Sequence, residues 1–412
     1  MKPFVIGVGR GGCRVANLFL TSDKPFTGIL MDTEDSDVKY FDHRYKMLIG
    51  EKLTDGNGTG GDLELGREIM ETEKYRIVER MDSVKGEMDC ILVVTALGGG
   101  TGGAVDVLAE ELRRSFSEPI YCIGIMPSEE DPPRALINFS ECFKRVVGDF
   151  HALLLVDNDR LREGRRLRTW YNHMNERVHR HFSELFQIGD YKSKDDLGGN
   201  VVTATDVMNT LGGLSSVGIG SYALREERSG IFSKRYEDVS KPELVVSLTE
   251  KAVKATLLPF EVSDAKKALV VVSGPKRYLD FMGSIPARLW VEKNIGGIEV
   301  RGGDVPASDK NDLEVMVALS GIKRSNRIKF LYQMGKMLKN RNAYSEKLSR
   351  IFEKLKTLDA KMYDVEGDFK EIFEDMKSIV KEPTVNNGEE APKLSKGRGE
   401  DLYSESTNLE GG

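Results

Sequence analysis

The sequence predicts an α/β protein with a Rossmann-like first domain, a smaller α/β domain and a helical C-terminal extension. Apolar runs typical of buried strands, at 4–6 and 91–94, each lead into a glycine-rich loop and then a helical pattern. Strand-like runs at 243–248, 268–272 and 313–319 alternate with the helical pattern EKAVKATL. The 412 residues exceed the roughly 250–300 at which a single core usually divides, so we expect two globular domains.

The first glycine-rich loop, VIGVGRGG, has Gly7, Gly9 and Gly12 at the GxGxxG spacing of dinucleotide-binding loops. A helical pattern follows, and Asp32 lies about 20 residues further on, where that fingerprint has an acidic residue. A nicotinamide or flavin oxidoreductase is one interpretation. By itself the loop indicates only a phosphate, because any turn that brings backbone N–H groups to an anion needs glycine at these positions.

Two further glycine-rich loops extend this pattern. ILVVTALGGGTGGAVDVLAE places five glycines around one threonine between an apolar strand and a helix, and a flexible linker is the alternative interpretation. GEKLTDGNGTGGDLELGREI places Gly56, Gly58, Gly60 and Gly61 before another helical pattern. Three such loops at three strand ends suit a nucleoside di- or triphosphate, and no GxxxxGK[ST] motif supplies a P-loop lysine.

Composition excludes several classes of protein. The formal net charge of −6, from 60 basic and 66 acidic residues, provides no basic field, so no nucleic-acid partner is expected. No uncharged apolar run reaches ~18 residues and no signal-peptide pattern is present, so we expect no transmembrane segment and a cytoplasmic protein. Scattered cysteines and a single His-x-His pair predict reduced, buried thiols and no protein metal site. These residues are Cys13, Cys90, Cys122, Cys142, His179 and His181.

Together these motifs resemble the tubulin and FtsZ superfamily. GGGTGGA matches the signature of that family. The motifs GVGRGG, IGEKLTDGNGTGG and DNDRL occur in the same order and at similar spacing as in the family. The segments EPIYCIGIMP, INFSECF, MNERVHRHF and VMNTLGGLSSVGIGSY are more similar to archaeal tubulin-like CetZ proteins. The resemblance covers residues 1–323. It implies a GTP-binding domain at 1–196 that includes a core helix, and a C-terminal α/β domain at 197–323.

The resemblance implies the phosphate contacts and a GTP or GDP cofactor with Mg²⁺. Residues expected near the α- and β-phosphates are Gly7, Gly9, Gly11 and Gly12. The loop expected to hold the β- and γ-phosphates is Gly98, Gly99, Gly100, Thr101, Gly102 and Gly103. Gly60 and Gly61 are expected at the γ-phosphate, and Arg10 and Asn138 in the same site. Only glycine lets so many N–H groups crowd a phosphate, and Thr101 could add a hydroxyl donor or simply cap the helix.

Base selection is expected to depend on asparagines, because guanine presents a ring N–H and an exocyclic amine that an amide oxygen can accept, and adenine lacks that amine. By resemblance, Asn158 and Asn175 are the guanine contacts. Tyr171, one helical turn before Asn175, matches the aromatic residue that stacks on the base. Asp131 matches the acidic partner of the ribose hydroxyls. The alternatives are an exposed helix residue for Asn175 and a solvated loop acid for Asp131.

The second domain is expected to present a catalytic loop to a neighbouring subunit. FtsZ has two aspartates in this loop, whereas VVTATDV has Thr203 at the first position and Asp206 at the second, a departure that CetZ proteins share in kind. Asp206 is therefore the expected catalytic acid, and hydrolysis could be slow. The alternative is that Asp206 only caps the helix that begins VMNTL.

The C-terminal residues differ from FtsZ. Apolar residues recur at alternating spacings of three and four through 342–380, which is typical of a coiled-coil seam. An amphipathic helix or hairpin packed on the rest of the chain is the alternative, and Gly367 would weaken one continuous helix by ~1 kcal/mol. We therefore predict a helical segment at 324–382 and, from its polar, Gly/Glu/Ser-rich composition, a disordered tail at 383–412.

The expected function is that of a CetZ-like GTPase that assembles head to tail into filaments, hydrolyses GTP at the subunit interface and acts in cell shape or division. The alternative is a GTP-binding regulator or adaptor of another cytoskeletal polymer, which would dimerise through 342–380 and polymerise poorly. A Rossmann oxidoreductase is disfavoured, because the GxGxxG spacing alone supports it.

Overall fold

The structure is a computed structural model that describes residues 1–161, 167–189, 200–224, 226–229, 233–236, 242–276, 278–279, 283–306 and 311–339. Residues Met1–Asn340 form one compact unit. The predicted heptad segment at 342–380 and the predicted tail at 383–412 lie outside the described residues.

The described strands are Pro3–Val8 (β1), Thr27–Asp32 (β2), Lys46–Leu48 (β3), Cys90–Ala96 (β4), Ile120–Met126 (β5), Ala152–Asp157 (β6), Gly213–Ala223 (β7), Glu226–Ser229 (β8), Ser233–Tyr236 (β9), Lys267–Gly274 (β10), Glu299–Pro306 (β11) and Asp312–Ile322 (β12).

The described α-helices are Gly9–Thr21 (α1), Asp35–Val38 (α2), Glu51–Thr54 (α3), Leu63–Val84 (α4), Gly100–Gly103 (α5), Val105–Ser115 (α6), Pro133–Val146 (α7), Leu167–Phe186 (α8), Ala204–Thr210 (α9), Pro242–Lys254 (α10), Ile285–Asn294 (α11) and Asn326–Lys339 (α12). Within these described ranges, no helix combines the length and the apolar character needed to cross a bilayer.

Ten strands form one sheet in the order β11-β10-β12-β7-β6-β5-β4-β1-β2-β3, which confirms the predicted α/β class. From β3 to β6 all neighbouring strands are parallel. Strand β7 pairs in parallel with β6 only between Ala152–Leu154 and Gly213–Ser215, a short pairing that we call the β6–β7 seam. On its other side β7 pairs antiparallel with β12 along almost its whole length. The predicted domain boundary near residue 197 stays a prediction.

Two apolar clusters support this sheet. The larger one surrounds the parallel strands and includes the fully buried rings of Phe19 from α1 and of Phe182 and Phe186 from α8. The second lies under the C-terminal strands and takes Val245 from α10 and Val291 from α11. All four cysteines are buried, as predicted, and their thiols are free. Because β1, β2, β4, β5 and β6 are parallel, their carboxyl ends and the loops that follow lie along one edge.

The prediction of a strand at 243–248 is wrong, because these residues lie in helix α10. Its buried residues Val245, Leu248 and Ala252 recur at intervals of three and four, which is the spacing of one helix face. The dense apolar run ELVVSL concealed that spacing, since a short run of this kind fits a buried strand equally well.

Helix α12 lies directly on α7. A Cβ atom at Gly335 of α12 would be 2.1 Å from the carbonyl oxygen of Leu136 and 2.7 Å from Cβ of Ser140, both in α7. The absence of a side chain at Gly335 therefore lets the two helices touch. The start of α12 lies beside the loops that follow β5 and β6, where Arg327 donates to Glu129 and Asp159.

Candidate functional site

A cleft of about 370 Å³ opens at the carboxyl ends of β1, β2 and β4. Nine of the predicted phosphate residues line it: Gly9, Arg10, Gly11, Gly60, Gly61, Gly99, Gly100, Thr101 and Gly102. Two further lining residues, Asp32 and Gly58, belong to the sequence motifs of the first and third loops. The remaining lining residues had no predicted role: Val8, Thr33, Glu34, Asp37, Thr59 and Ala96. All three glycine-rich loops thus meet at one cleft.

The first loop opens helix α1 without a side-chain cap, so its first backbone N–H groups remain available at the cleft. Gly9 has a φ of +69°, in the left-handed region that favours glycine. Gly12 serves a different purpose, because a Cβ there would be 2.1 Å from the carbonyl oxygen of Val94 on β4. Gly7 similarly packs on Ala16 of α1. The fingerprint therefore combines residues that line the cleft with residues that seat the helix on the sheet.

The second loop contacts the third. A Cβ at Gly100 would be 2.3 Å from Oγ1 of Thr59, so no larger residue fits between the two loops. Gly99 occupies the N-cap of α5, which excludes the interpretation of Thr101 as its cap. Thr101 is buried, and its hydroxyl lies 2.8 Å from that of Thr33. The other two glycines of this loop do not line the cleft. Gly98 packs against Ala135, and Gly103 packs against Leu63.

The third loop turns back on itself before α4. Gly58, Gly60 and Gly61 have φ values of +74°, +57° and +80°. Asp62 ends the loop and caps α4 by accepting hydrogen bonds from the backbone amides of residues 64 and 65. Asn138 of α7 is buried, and its Nδ2 donates to the carbonyl oxygens of Gly61 (2.9 Å) and Gly98 (3.1 Å). Asn138 thus joins two glycine-rich loops from behind the cleft.

One wall of the cleft is charged. Nε of Arg10 donates to Oδ2 of Asp37 at 2.5 Å, and its Nη2 lies 3.2 Å from Oε2 of Glu34. The hydrogen bond to Asp37 raises the pKa of Arg10 above its usual value. Burial raises the pKa of Asp32 to about 6, although the backbone amide of Thr33 donates to it and opposes the shift. The cleft therefore offers backbone donors on one side and carboxylates on the other.

The residues predicted to contact the base and the ribose lie outside the lining of this cleft. Asn158 follows β6 and is 8% exposed, and its buried Oδ1 has no hydrogen-bond partner among the described residues. Asp131 lies in the loop after β5, where its Oδ2 accepts from the amide of Ser128 at 2.9 Å. Burial raises the pKa of Asp131. Tyr171 and Asn175 are half-buried, one turn apart on α8.

Asp206 is the third residue of α9. Its Oδ2 accepts hydrogen bonds from the amide (2.9 Å) and the hydroxyl (2.7 Å) of Thr203, the N-cap residue, in a capping box. Its Oδ1 accepts from Nη1 of Arg301 on β11 at 3.0 Å, a partner that the sequence analysis missed. Burial opposes ionisation, but the hydrogen bonds from Thr203 and Arg301 lower the pKa of Asp206 overall. Asp206 therefore both supports the start of the helix and carries a negative charge.

Comparisons with known proteins agree with this architecture. Residues 3–165 match the model of the Tubulin/FtsZ family GTPase domain, and residues 164–337 match that of the tubulin-like CetZ C-terminal domain. The tubulin-like protein CetZ1 of Haloferax volcanii is 32% identical over 361 residues, covering 81% of this chain and 91% of that protein. CetZ2 of the same organism is 34% identical over 340 residues, covering 80% of this chain and 90% of that protein.

Solved structures show the same relationship. A GTPγS-bound protofilament of CetZ2 from Haloferax volcanii is 30% identical with a TM-score of 0.73, covering 84% of this chain and all of that one. A GDP-bound CetZ1 monomer is 31% identical with a TM-score of 0.71, covering 81% of this chain and 98% of that one. The resemblance inferred from the glycine motifs is thus confirmed, and the chain belongs to the tubulin-like CetZ proteins of the Tubulin/FtsZ family, the GTP-binding GTPases of the cytoskeleton.

Proposed function

We propose that this chain is a cytoplasmic protein that binds GTP and GDP in the cleft, assembles head to tail and hydrolyses GTP where two subunits meet. The main support is the convergence of three glycine-rich loops and the uncapped starts of α1 and α5 on one cleft. Backbone N–H groups and a helix N-terminus together form a strong site for phosphate oxygens. The relatives observed with GDP and with GTPγS support the choice of guanine nucleotide.

Asn158 supports the assignment of the base. A buried amide oxygen without a partner costs free energy, and a guanine ring N–H or amine would satisfy it. Tyr171 would then stack on the base and Asn175 would add a second amide. In this proposal the base and the phosphates are held by different elements, α8 and the β6 loop for the base and the glycine-rich loops for the phosphates.

Mg²⁺ fits the charged wall of the cleft. Among the described residues, no cluster of three or more His, Cys, Asp or Glu side chains is arranged to hold a metal ion by itself. Mg²⁺ is usually bound by one or two carboxylates together with phosphate oxygens, so Asp32, Glu34 or Asp37 could complete its coordination once a nucleotide is bound. The ion would neutralise charge on the β- and γ-phosphates.

Asp206 would act on the nucleotide of the adjacent subunit. A carboxylate with a lowered pKa is a weak base, so its expected contribution is to orient the attacking water and accept a hydrogen bond from it. Arg301 would hold the carboxylate in place. A head-to-tail contact that does not close into a ring produces a filament. The solved structure of CetZ2 with GTPγS is a protofilament, which supports this proposal.

The test compares Asp206→Asn with Thr203→Ala. Asn can still accept from the Thr203 amide but carries no charge, whereas Thr203→Ala removes the cap and keeps the carboxylate. We expect Asp206→Asn to bind GTP normally, to lose about 10²- to 10⁴-fold in turnover and to give persistent polymers. Thr203→Ala should lose about 1 kcal/mol of stability and keep most of its turnover per assembled subunit.

Light scattering and pelleting with GTP, GDP and GTPγS, together with phosphate release, measure these outcomes. Wild-type turnover should rise faster than linearly with protein concentration, because two chains complete each site. Strict proportionality from nanomolar concentrations upwards, or unaltered turnover in Asp206→Asn, would exclude Asp206 as an acid that acts on the neighbouring subunit.

A further inference from the structure

Arg327, near the start of α12, lies where three separate segments of the chain meet. Its Nε is 3.2 Å from Oδ1 of Asp157, its Nη1 donates to Oε1 of Glu129, and its Nη2 donates to Oδ2 of Asp159. The Arg327 side chain is only 12% exposed. One guanidinium therefore joins the end of β6 and the loop that follows β5, and both are far from it in sequence.

The acidic partners of Arg327 are linked to one another. Asp159 accepts from the hydroxyl of Ser128 at 2.5 Å and from the amide of Glu129 at 2.9 Å. The amide of Asp159 in turn donates to Oδ1 of Asp157 at 3.2 Å. The two loops thus form one hydrogen-bonded unit with Arg327 as its cation.

We propose that Arg327 is a positioning residue for guanine recognition, which it supports by fixing the loops that carry Asn158 and Asp131. This inference rests on the proposed function. Asn158 lies between Asp157 and Asp159, the two carboxylates that Arg327 holds, and its buried amide oxygen has no described partner. Asp131 accepts from the amide of Ser128, whose hydroxyl is bound to Asp159. Asn158 is therefore adjacent in sequence to two carboxylates that Arg327 holds, and Asp131 is linked to one of them, Asp159, through Ser128.

The charge of Arg327 also affects the protonation of its acidic partners. Burial raises the pKa of Asp157, and the nearby charge of Arg327 is the main influence that opposes the shift. Burial also raises the pKa of Asp131, and the charge of Asp159 adds to that shift. Without Arg327, the carboxylates of Glu129, Asp157 and Asp159 would repel each other. The loop after β5 and the loop after β6 would then lose their fixed positions.

The experiment measures dissociation constants of Arg327→Gln, Arg327→Lys and Arg324→Gln for GTP, for ITP, which lacks the exocyclic amine, and for inorganic triphosphate. Arg324 is a matched control, since its side chain is 88% exposed and its ion-pair partner is Asp264 (3.6 Å). We expect Arg327→Gln to weaken GTP binding about tenfold and to bring GTP and ITP close together, while triphosphate binding stays unchanged. Arg324→Gln should behave like the wild type.

A lysine ammonium keeps the positive charge but lacks the planar set of N–H donors with which a guanidinium binds three carboxylates. Arg327→Lys should therefore show an intermediate loss of GTP affinity, and it provides the test if Arg327→Gln does not fold. Equal changes for GTP, ITP and triphosphate, or a preserved preference for GTP over ITP in both variants, would overturn the inference and leave Arg327 as a purely structural contact. The wild type, measured with ATP as well, separates the two proposals, because equal affinity for GTP and ATP would contradict the proposed function itself.

Discussion

At the scale of single residues, Asp32 is a buried carboxylate in the lining of the cleft that we propose binds phosphate. It is 4% exposed, and burial raises its pKa from 3.8 to about 6, with the charge of Asp37 adding to the shift. A raised pKa in the folded state means that the stability linked to Asp32 is fully present below pH 3.8 and is lost as the pH rises through about 6. At pH 7 the ionised Asp32 therefore lowers the stability of the nucleotide-free protein.

Asp32→Asn should accordingly stabilise the nucleotide-free protein at pH 7 by up to about 3 kcal/mol, because Asn has no charge to bury. Near pH 4 the gain should almost disappear, since the wild-type carboxyl is then protonated. Urea unfolding at both pH values measures the difference, and Asp23→Asn, at an exposed position after α1, is the control. An equal gain at both pH values would contradict the assignment.

Asn175→Ala should reduce the preference for GTP over ATP. In the variant the exocyclic amine of bound guanine would lose its partner, and a buried polar group without a partner costs ~1–3 kcal/mol. The ratio of the affinities for GTP and ATP should therefore fall by about 5- to 150-fold. Asn172, an exposed residue of the same helix, supplies the matched variant Asn172→Ala. Equilibrium binding of both nucleotides decides the matter. If wild type binds GTP and ATP equally, Asn175 has no role in base selection.

The sequence predicted the glycine residues of the cleft, but it did not predict which charged side chains pair with one another in the cleft and around the proposed site. Glycines are recognisable because each loop is a local pattern between a strand and a helix. The ion pairs of Arg10 with Asp37, of Arg301 with Asp206 and of Arg327 with Asp159 join residues 27, 95 and 168 positions apart. Such pairs depend on which strands and helices become neighbours, and no local pattern records this.

At the scale of secondary-structure elements, local patterns again predict more than contacts between distant residues do. Strands β1, β4, β10 and β12 lie where apolar runs predicted them, because strands buried on both faces have a continuous apolar signature. Helix α10 was assigned incorrectly for that very reason, as its apolar run resembles a strand until the packing partners are known. The resemblance to a known family, carried by motif order and spacing, supplied the overall arrangement.

Gly335→Ala tests the contact between α12 and α7. Alanine favours a helix by ~1 kcal/mol over glycine, but the added Cβ would be 2.1 Å from the Leu136 carbonyl oxygen. We therefore expect a net loss of about 1–3 kcal/mol in the free energy of unfolding. Gly86→Ala is the control, because a Cβ there has no neighbour within 4 Å. Denaturant titration measures both variants, and a stabilised Gly335→Ala would show that α12 does not pack closely on α7.

At the scale of the whole molecule, the heptad residues at 342–380 follow the compact unit Met1–Asn340 in sequence. If these heptads pair between chains, deletion of residues 342–412 should abolish self-association in GDP and leave nucleotide affinity unchanged. Sedimentation velocity of the full-length and truncated proteins in GDP is the measurement. Intermolecular pairing is wrong if both forms sediment as monomers.

The β6–β7 seam also has a mechanical consequence. Three residue pairs join β6 to β7, whereas six join β5 to β6 and ten join β7 to β12. A subunit within a filament would transmit tension, and hydrogen bonds that are loaded together share the force. We expect a molecule pulled between β5 and β12 to yield first along the seam, with the parallel strands that carry the glycine-rich loops staying together. The strands from β3 to β6 and those from β7 to β11, in sheet order, would therefore move as two rigid parts of the sheet, joined only by the short β6–β7 pairing.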